Sequence, residues 1–184
     1  IILLGVMSLV EACFYPGRYN LTLNLRQFIP FAFLALFLIP IQASTEELFF
    51  RGYLLQTIGL RLRNVLILST ISGLIFMLPH LLNPEARTNF ALMGCYYFFM
   101  GAVMAYVTLR DGRLELAMGL HIANNLFSAL IANYSVTVLP TPSMFTVNTL
   151  DAAYSVLAAT VGLIIFMLIF IPPARHRLRE NPPA

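Results

Sequence analysis

The sequence predicts an all-α fold, a polytopic transmembrane helix bundle of about six or seven segments around a polar intramembrane cavity. Three observations predict it. Of the 184 residues, 59% are hydrophobic and only 10% are charged, and the mean hydropathy is +0.82; a water-soluble domain of this length needs more charge to cover its surface. The apolar residues fall in runs near the ~20 residues that a helix needs to cross a hydrocarbon core. Several runs also hold Glu, Arg, His or Asn, which a helix facing lipid on all sides does not carry.

Taken in order, the apolar runs occupy residues 1–15, 28–43, 65–82, 90–109, 114–131 and 152–171. The runs 90–109 and 152–171 are long enough to span outright, and 65–82 nearly so. The run 114–131 needs local thinning or burial, while 1–15 and 28–43 are short unless their polar flanks join them. Residues 45–62 are expected to form a separate helix. Ser44 followed by Glu47 has capping-box spacing, Gly59 sits near the far end, and Pro40 favours a break upstream. This helix carries Glu46, Glu47 and Arg51, so protein must surround it. The stretch 132–151, with Pro140 and Pro142 and no Arg, reads as a long outer loop. Nothing divides the chain, which reads as a single membrane domain over 1–184 with a motif-bearing core at 44–128 and a basic cytoplasmic tail at 172–184. It opens on Ile1, which leaves room for a preceding segment in a longer protein.

All 11 basic residues are arginine, and the sequence pI is about 9.1. Their placement in short clusters between apolar runs is a topological bias and not a nucleic-acid-binding stripe. If 28–43 and 45–62 cross separately, Arg18, Arg26, Arg61, Arg63, Arg110, Arg113, Arg175, Arg177 and Arg179 share one side, with only Arg87 opposite. If 28–62 crosses once, the division weakens to seven against three. The positive-inside bias favours the first arrangement and places the C-terminal tail in the cytoplasm. With no Trp, Tyr53, Tyr96, Tyr97, Tyr106 and Tyr154 are the candidate interfacial aromatics. Cys13 and Cys95 lie in apolar runs without metal-ligand spacing and read as core packing.

The intramembrane polar residues carry the chemistry. On a helix Glu47 and Arg51 stack on one face in the favourable acid-first order, so Glu47 is neutralised locally. Glu46 points about 100° away, toward Phe49, Phe50 and Tyr53, where an unpaired carboxyl is a candidate general base. The bland alternative is a structural ion-pair network of both acids with Arg51. His80 shares a face with Phe76, Ser72 and Gly73; His121 shares one with Asn125, with Asn124 beside it. Either histidine alone is more often a hydrogen-bonded packing residue, and His176 in the tail is solvated. Facing one cavity, the set supplies a base, a water-orienting imidazole and oxyanion donors.

Glu46-Glu47-x-x-x-Arg51, then Phe76-x-x-x-His80, then His121-x-x-x-Asn125, in that order and in apolar helices, resembles the CPBP (Abi) family of intramembrane proteases. That family includes type II CAAX prenyl endopeptidases and bacterial relatives linked to bacteriocin processing and immunity. The resemblance implies a peptide-bond hydrolase acting on a peptide or a prenylated protein C-terminus at the bilayer. Glu46 would activate a water that His80 helps to hold, His121 and Asn125 would stabilise the oxyanion, and Glu47 with Arg51 would support them. The family has been described both as metalloendopeptidases and as metal-free glutamate proteases. No cofactor is the preferred expectation here, with zinc on Glu46, His80 and His121 as the alternative. Two other readings compete: a non-enzymatic membrane scaffold, chaperone or bacteriocin-immunity protein that keeps the same polar core, and a small transporter with a proton relay. One geometric question arises. In the seven-crossing arrangement Glu46 and His80 lie near the outer face, whereas His121 lies roughly 10 Å from the inner end of its helix.

Overall fold

The structure, a computed structural model, describes residues 1–171; the expected tail at 172–184, with Arg175, His176, Arg177 and Arg179, lies outside them. Six helices form the bundle among the described residues: α1 (Ile2–Phe14), α2 (Leu25–Gly59), α3 (Val65–His80), α4 (Phe90–Asp111), α5 (Glu115–Leu126, continued as π-helix over Phe127–Ile131) and α6 (Ala152–Phe170). Three of them, α2, α4 and α6, are long and apolar enough to cross a membrane. Most boundaries fall within two or three residues of the apolar runs. Asn side chains set several starts: Asn64 accepts from the Leu66 and Ile67 amides at 3.0 and 3.1 Å, and Asn89 from Leu92 at 3.1 Å.

The separate helix at 45–62 does not form. Helix α2 runs unbroken for 35 residues from Leu25 to Gly59, with Pro30 and Pro40 inside it and a π-helical stretch at Leu48–Leu54. Ser44 therefore sits in a helix interior and caps nothing, although Gly59 does mark the end. Each proline removes one backbone bond, a local loss that a long apolar helix in lipid absorbs more readily than it would expose a loop there.

The expected outer loop is also partly ordered. β1 (Tyr19–Leu21), β2 (Ala132–Tyr134) and β3 (Phe145–Val147) form a sheet in the order β1-β3-β2, antiparallel for β1 with β3 and parallel for β2 with β3. It gathers the end of α1, the end of α5 and the start of α6. Beside it Arg18 contacts Glu11 at 3.3 Å and Asp151 at 3.2 Å, and the Tyr19 hydroxyl donates to Glu11 at 2.6 Å. Burial, reinforced by Glu11, pushes the Tyr19 hydroxyl above its ordinary range. Asp151 caps α6 by accepting the Tyr154 amide at 3.0 Å, and that amide, with Arg18, holds its carboxyl below the usual range.

With α2 as one crossing, the arginines divide differently from the favoured arrangement. Arg18, Arg26 and Arg87 lie toward the sheet end, and Arg61, Arg63, Arg110 and Arg113 toward the other. The nine-to-one asymmetry is lost, as in the alternative in which 28–62 crosses once. Other side chains face outward as lipid demands: Phe33, Phe37, Leu60 and Leu168 are exposed. Cys13 and Cys95 join them on the exposed surface, not in the core, a position that a weakly polar thiol tolerates in lipid. Tyr97, expected at an interface, is buried.

The closest helix pair is α3 with α4, where glycines let the backbones approach. A Cβ on Gly73 would stand 2.8 Å from the Ala102 Cβ, and one on Gly101 would stand 2.7 Å from the Phe76 Cβ. Phe76, Met100, Met104, Ala117 and Leu163 form a buried core cluster, of which Met100 and Leu163 also line the cavity.

Candidate active site

Four helices contribute to one polar centre: Gln42, Glu46, Glu47 and Arg51 from α2, Phe76 and His80 from α3, Tyr96, Tyr97 and Gly101 from α4, and His121, Asn124 and Asn125 from α5. Glu47 and Arg51 are both fully buried and paired at 2.8 Å, as the four-residue spacing predicts. The Arg51 guanidinium also donates to the Gly101 carbonyl at 3.0 Å and lies over the Phe76 ring, 4.6 Å from its centroid. Arg51 falls within the π-helical stretch, a distortion common where helices carry function.

The same Glu47 oxygen that takes Arg51 also takes His121 Nδ1 at 2.7 Å. A carboxylate paired with Arg51 only accepts, so His121 Nδ1 carries its proton. The other ring nitrogen, Nε2, faces Glu46 Oε2 at 3.7 Å, too far for a direct hydrogen bond. That Glu46 oxygen is buried and has no hydrogen-bond partner among the described residues. The second Glu46 oxygen accepts from the Gln42 side-chain amide.

His80 Nδ1 contacts the Phe76 carbonyl at 2.7 Å. A carbonyl accepts only, which leaves His80 Nε2 as the lone-pair nitrogen. Its ring stacks on Phe76 at 4.3 Å and lies 4.9 Å from Tyr97. The Phe76 ring also meets His121 edge-on at 5.9 Å, so one phenyl group touches Arg51 and both histidines. Asn125 donates to Gln42 Oε1 at 3.3 Å, Asn124 donates to Asn125 Oδ1 at 3.3 Å, and Tyr96 donates to Asn124 Oδ1 at 3.5 Å.

All four expected site residues, Glu46, His80, His121 and Asn125, line a single cavity of about 1600 Å³ that continues along the apolar sides of α1, α2 and α6. The expected difference in level does not keep the side chains apart: Glu46, ~20 Å along its helix from Gly59, and His121, ~9 Å along its own from Glu115, still approach to 3.7 Å. Glu46 does not point toward Phe49 and Tyr53, which are exposed on the outside of α2; it turns inward. Gln42 and the linking role of Phe76 were missed. The signal for Gln42 was present, an amide in an apolar run one helical turn before Glu46.

The alternative zinc set, Glu46, His80 and His121, is not drawn together at ligand distances in this structure. A catalytic zinc takes three protein ligands, and no three of the His, Cys, Asp and Glu side chains among the described residues are grouped to hold a metal. Glu46 and His121 approach each other, but His80 is not gathered with them.

Residues 26–127 match the family described as type II CAAX prenyl endopeptidase Rce1-like. The chain is also similar to the uncharacterised protein YyaK of Bacillus subtilis (strain 168), 37% identical over 149 residues, which cover 80% of this chain and 50% of that protein. It thus spans about half the length of this curated relative. Comparison with solved structures gives no significant match.

Proposed function

Since the chain belongs to the type II CAAX prenyl endopeptidase Rce1-like family, we propose that it is an intramembrane endopeptidase that uses Glu46 to activate water. The observation that carries this reading is the buried, unpartnered Glu46 oxygen facing His121 Nε2 at 3.7 Å in the wall of the cavity. A water between these two atoms lies within hydrogen-bond reach of both. Glu46 takes one proton from it, and the resulting hydroxide attacks the carbonyl carbon of the scissile peptide. The carbonyl oxygen becomes an oxyanion, met by the Asn125 amide and by His121. Because His121 Nδ1 is committed to Glu47, its Nε2 donates only when the ring is doubly protonated. As the C–N bond breaks, Glu46 returns its proton to the leaving amine, giving one new carboxylate and one new amine. His80, with Nε2 free to accept, helps orient the water. No step is routed through a metal.

The cavity joins this polar centre to a long apolar wall, which suits a substrate with both a peptide and a lipid-soluble part, such as a prenylated C-terminus. The test is cleavage of a prenylated or unprenylated reporter peptide by the purified full chain in lipid. Glu46→Gln and Glu46→Ala are each expected to lower the rate by about 10²- to 10⁴-fold. Undiminished cleavage by both variants overturns the enzyme reading. A cellular function that survives both substitutions points to a scaffold, and pH-coupled uptake into vesicles points to a transporter.

A further inference from the structure

We propose that Gln42 is a positioning residue that orients the two halves of the centre, the Glu46 base and the Asn125 oxyanion donor, through one side-chain amide. The proposal rests on the hydrolase reading above. Gln42 lies one helical turn before Glu46 on α2 and opens into the cavity. Its Nε2 donates to Glu46, and its Oε1 accepts from Asn125 Nδ2 at 3.3 Å.

The donor and acceptor inventory gives this contact a direction. A carboxylate only accepts, so Gln42 must turn its NH₂ toward Glu46. Its oxygen then faces Asn125 and can only accept, so Asn125 must present its own NH₂ there. That turns Asn125 Oδ1 the other way, where it takes a hydrogen bond from Asn124 at 3.3 Å. Asn124 Oδ1 in turn accepts from the Tyr96 hydroxyl at 3.5 Å. Every donor in the row points toward Glu46, and the charge on one carboxylate sets the amide orientation of three neighbours.

The consequence falls on Asn125. Freed from Gln42, its amide can flip and offer an oxygen where the oxyanion needs a donor. Held by Gln42, it keeps NH₂ facing the centre, with one hydrogen on Gln42 and the second free for the reacting carbonyl. Gln42 touches neither water nor substrate in this scheme; it acts through its two neighbours.

The test is a comparison of Gln42→Met, which keeps the length and removes the amide, with Asn125→Ala, Glu46→Gln and the Gln42→Met/Asn125→Ala pair. All four are assayed in the full chain in lipid, with thermal midpoints measured on the same preparations. Gln42→Met is expected to lower kcat about 10- to 100-fold, to change KM less than about 2-fold, and to leave the midpoint within ~2 °C. The pair is expected to lose clearly less than the product of the single losses, because both act on one oriented amide. Gln42→Leu, tested alongside, should reproduce the kcat loss. Wild-type kcat in Gln42→Met, or full multiplicativity in the pair, overturns the positioning role while an inactive Glu46→Gln leaves the hydrolase reading standing. Normal cleavage by Glu46→Gln overturns both.

Discussion

Gly101→Ala separates the packing role of the α3–α4 contact from its role in the site. A Cβ there would stand 2.7 Å from the Phe76 Cβ and 3.0 Å from both Cγ and Cδ1. Carbon atoms rest ~3.5–4.0 Å apart, so the overlap at the Phe76 Cβ is about 1 Å. The Phe76 Cβ is fixed to its helix and cannot rotate away, so α3 and α4 must part or the phenyl ring must tilt. Overpacking of this kind costs ~1–3 kcal/mol, offset by up to ~1 kcal/mol from replacing a helical glycine with alanine. The net stability loss is therefore modest, ~0–3 kcal/mol. The effect on cleavage should be larger. The displaced ring stacks on His80, abuts His121 and supports Arg51, and a shift of ~1 Å in reacting groups costs about 100-fold in rate. Gly59, where a Cβ meets nothing within 4 Å and which lies away from the cavity, provides the control; Gly59→Ala should leave cleavage unchanged. Peptide cleavage and thermal unfolding on matched samples in lipid measure the two effects. A Gly101→Ala protein that cleaves at the wild-type rate refutes the argument that this contact sets the geometry of the histidines.

Arg51→Met leaves Glu47 with a buried charge and without its cationic partner. A loss of ~3–5 kcal/mol is expected, and Glu47→Gln in the same chain should recover part of it, as read by the denaturation midpoint. Asp151 has a depressed folded-state pKa, so its contribution is full above the unfolded value near 3.8 and is lost as pH falls through the folded value. Melting curves from pH 7 to below about 3 should therefore show an acid-side loss. Asp151→Asn, which keeps a capping oxygen but loses the charge beside Arg18, should shrink that loss and lower the pH 7 midpoint by about the same pH-dependent part. Treatment with a strong chelator should leave peptide cleavage intact; activity lost on chelation and restored by zinc would contradict the metal-free mechanism.

The helices of this bundle were legible because lipid imposes length and apolarity, and the runs at 90–109 and 152–171 carry both without ambiguity. The Glu47–Arg51 pair was legible from spacing alone, since four residues place two side chains on one helical face. The continuity of α2 was not. Pro40 and the Ser44–Glu47 pattern are local signals for an end and a start, and the demand for internal backbone bonding in a membrane outweighs them. That error placed Glu46 at the start of a separate crossing and not in the interior of a long one. The three-residue strands were equally hidden, too short to show alternation, with β1 paired to β3 across more than a hundred residues. The direction of Glu46 also depended on tertiary partners: Gln42 precedes it on its own helix, but His121 and Asn125 arrive from α5.

The pairing within α2 bears on how such a centre is assembled during synthesis. A charged group entering the bilayer alone costs ~2.5–3.5 kcal/mol on insertion scales. Glu47 and Arg51 are on the same helix, so each enters with its counter-charge before the later helices have left the ribosome. Glu46 has only the Gln42 amide on its own helix, and the imidazole beside it comes with α5, about seventy-five residues later in the chain. The nascent helix thus carries Glu46 apart from its α5 neighbours, His121 and Asn125, until that later helix joins the bundle.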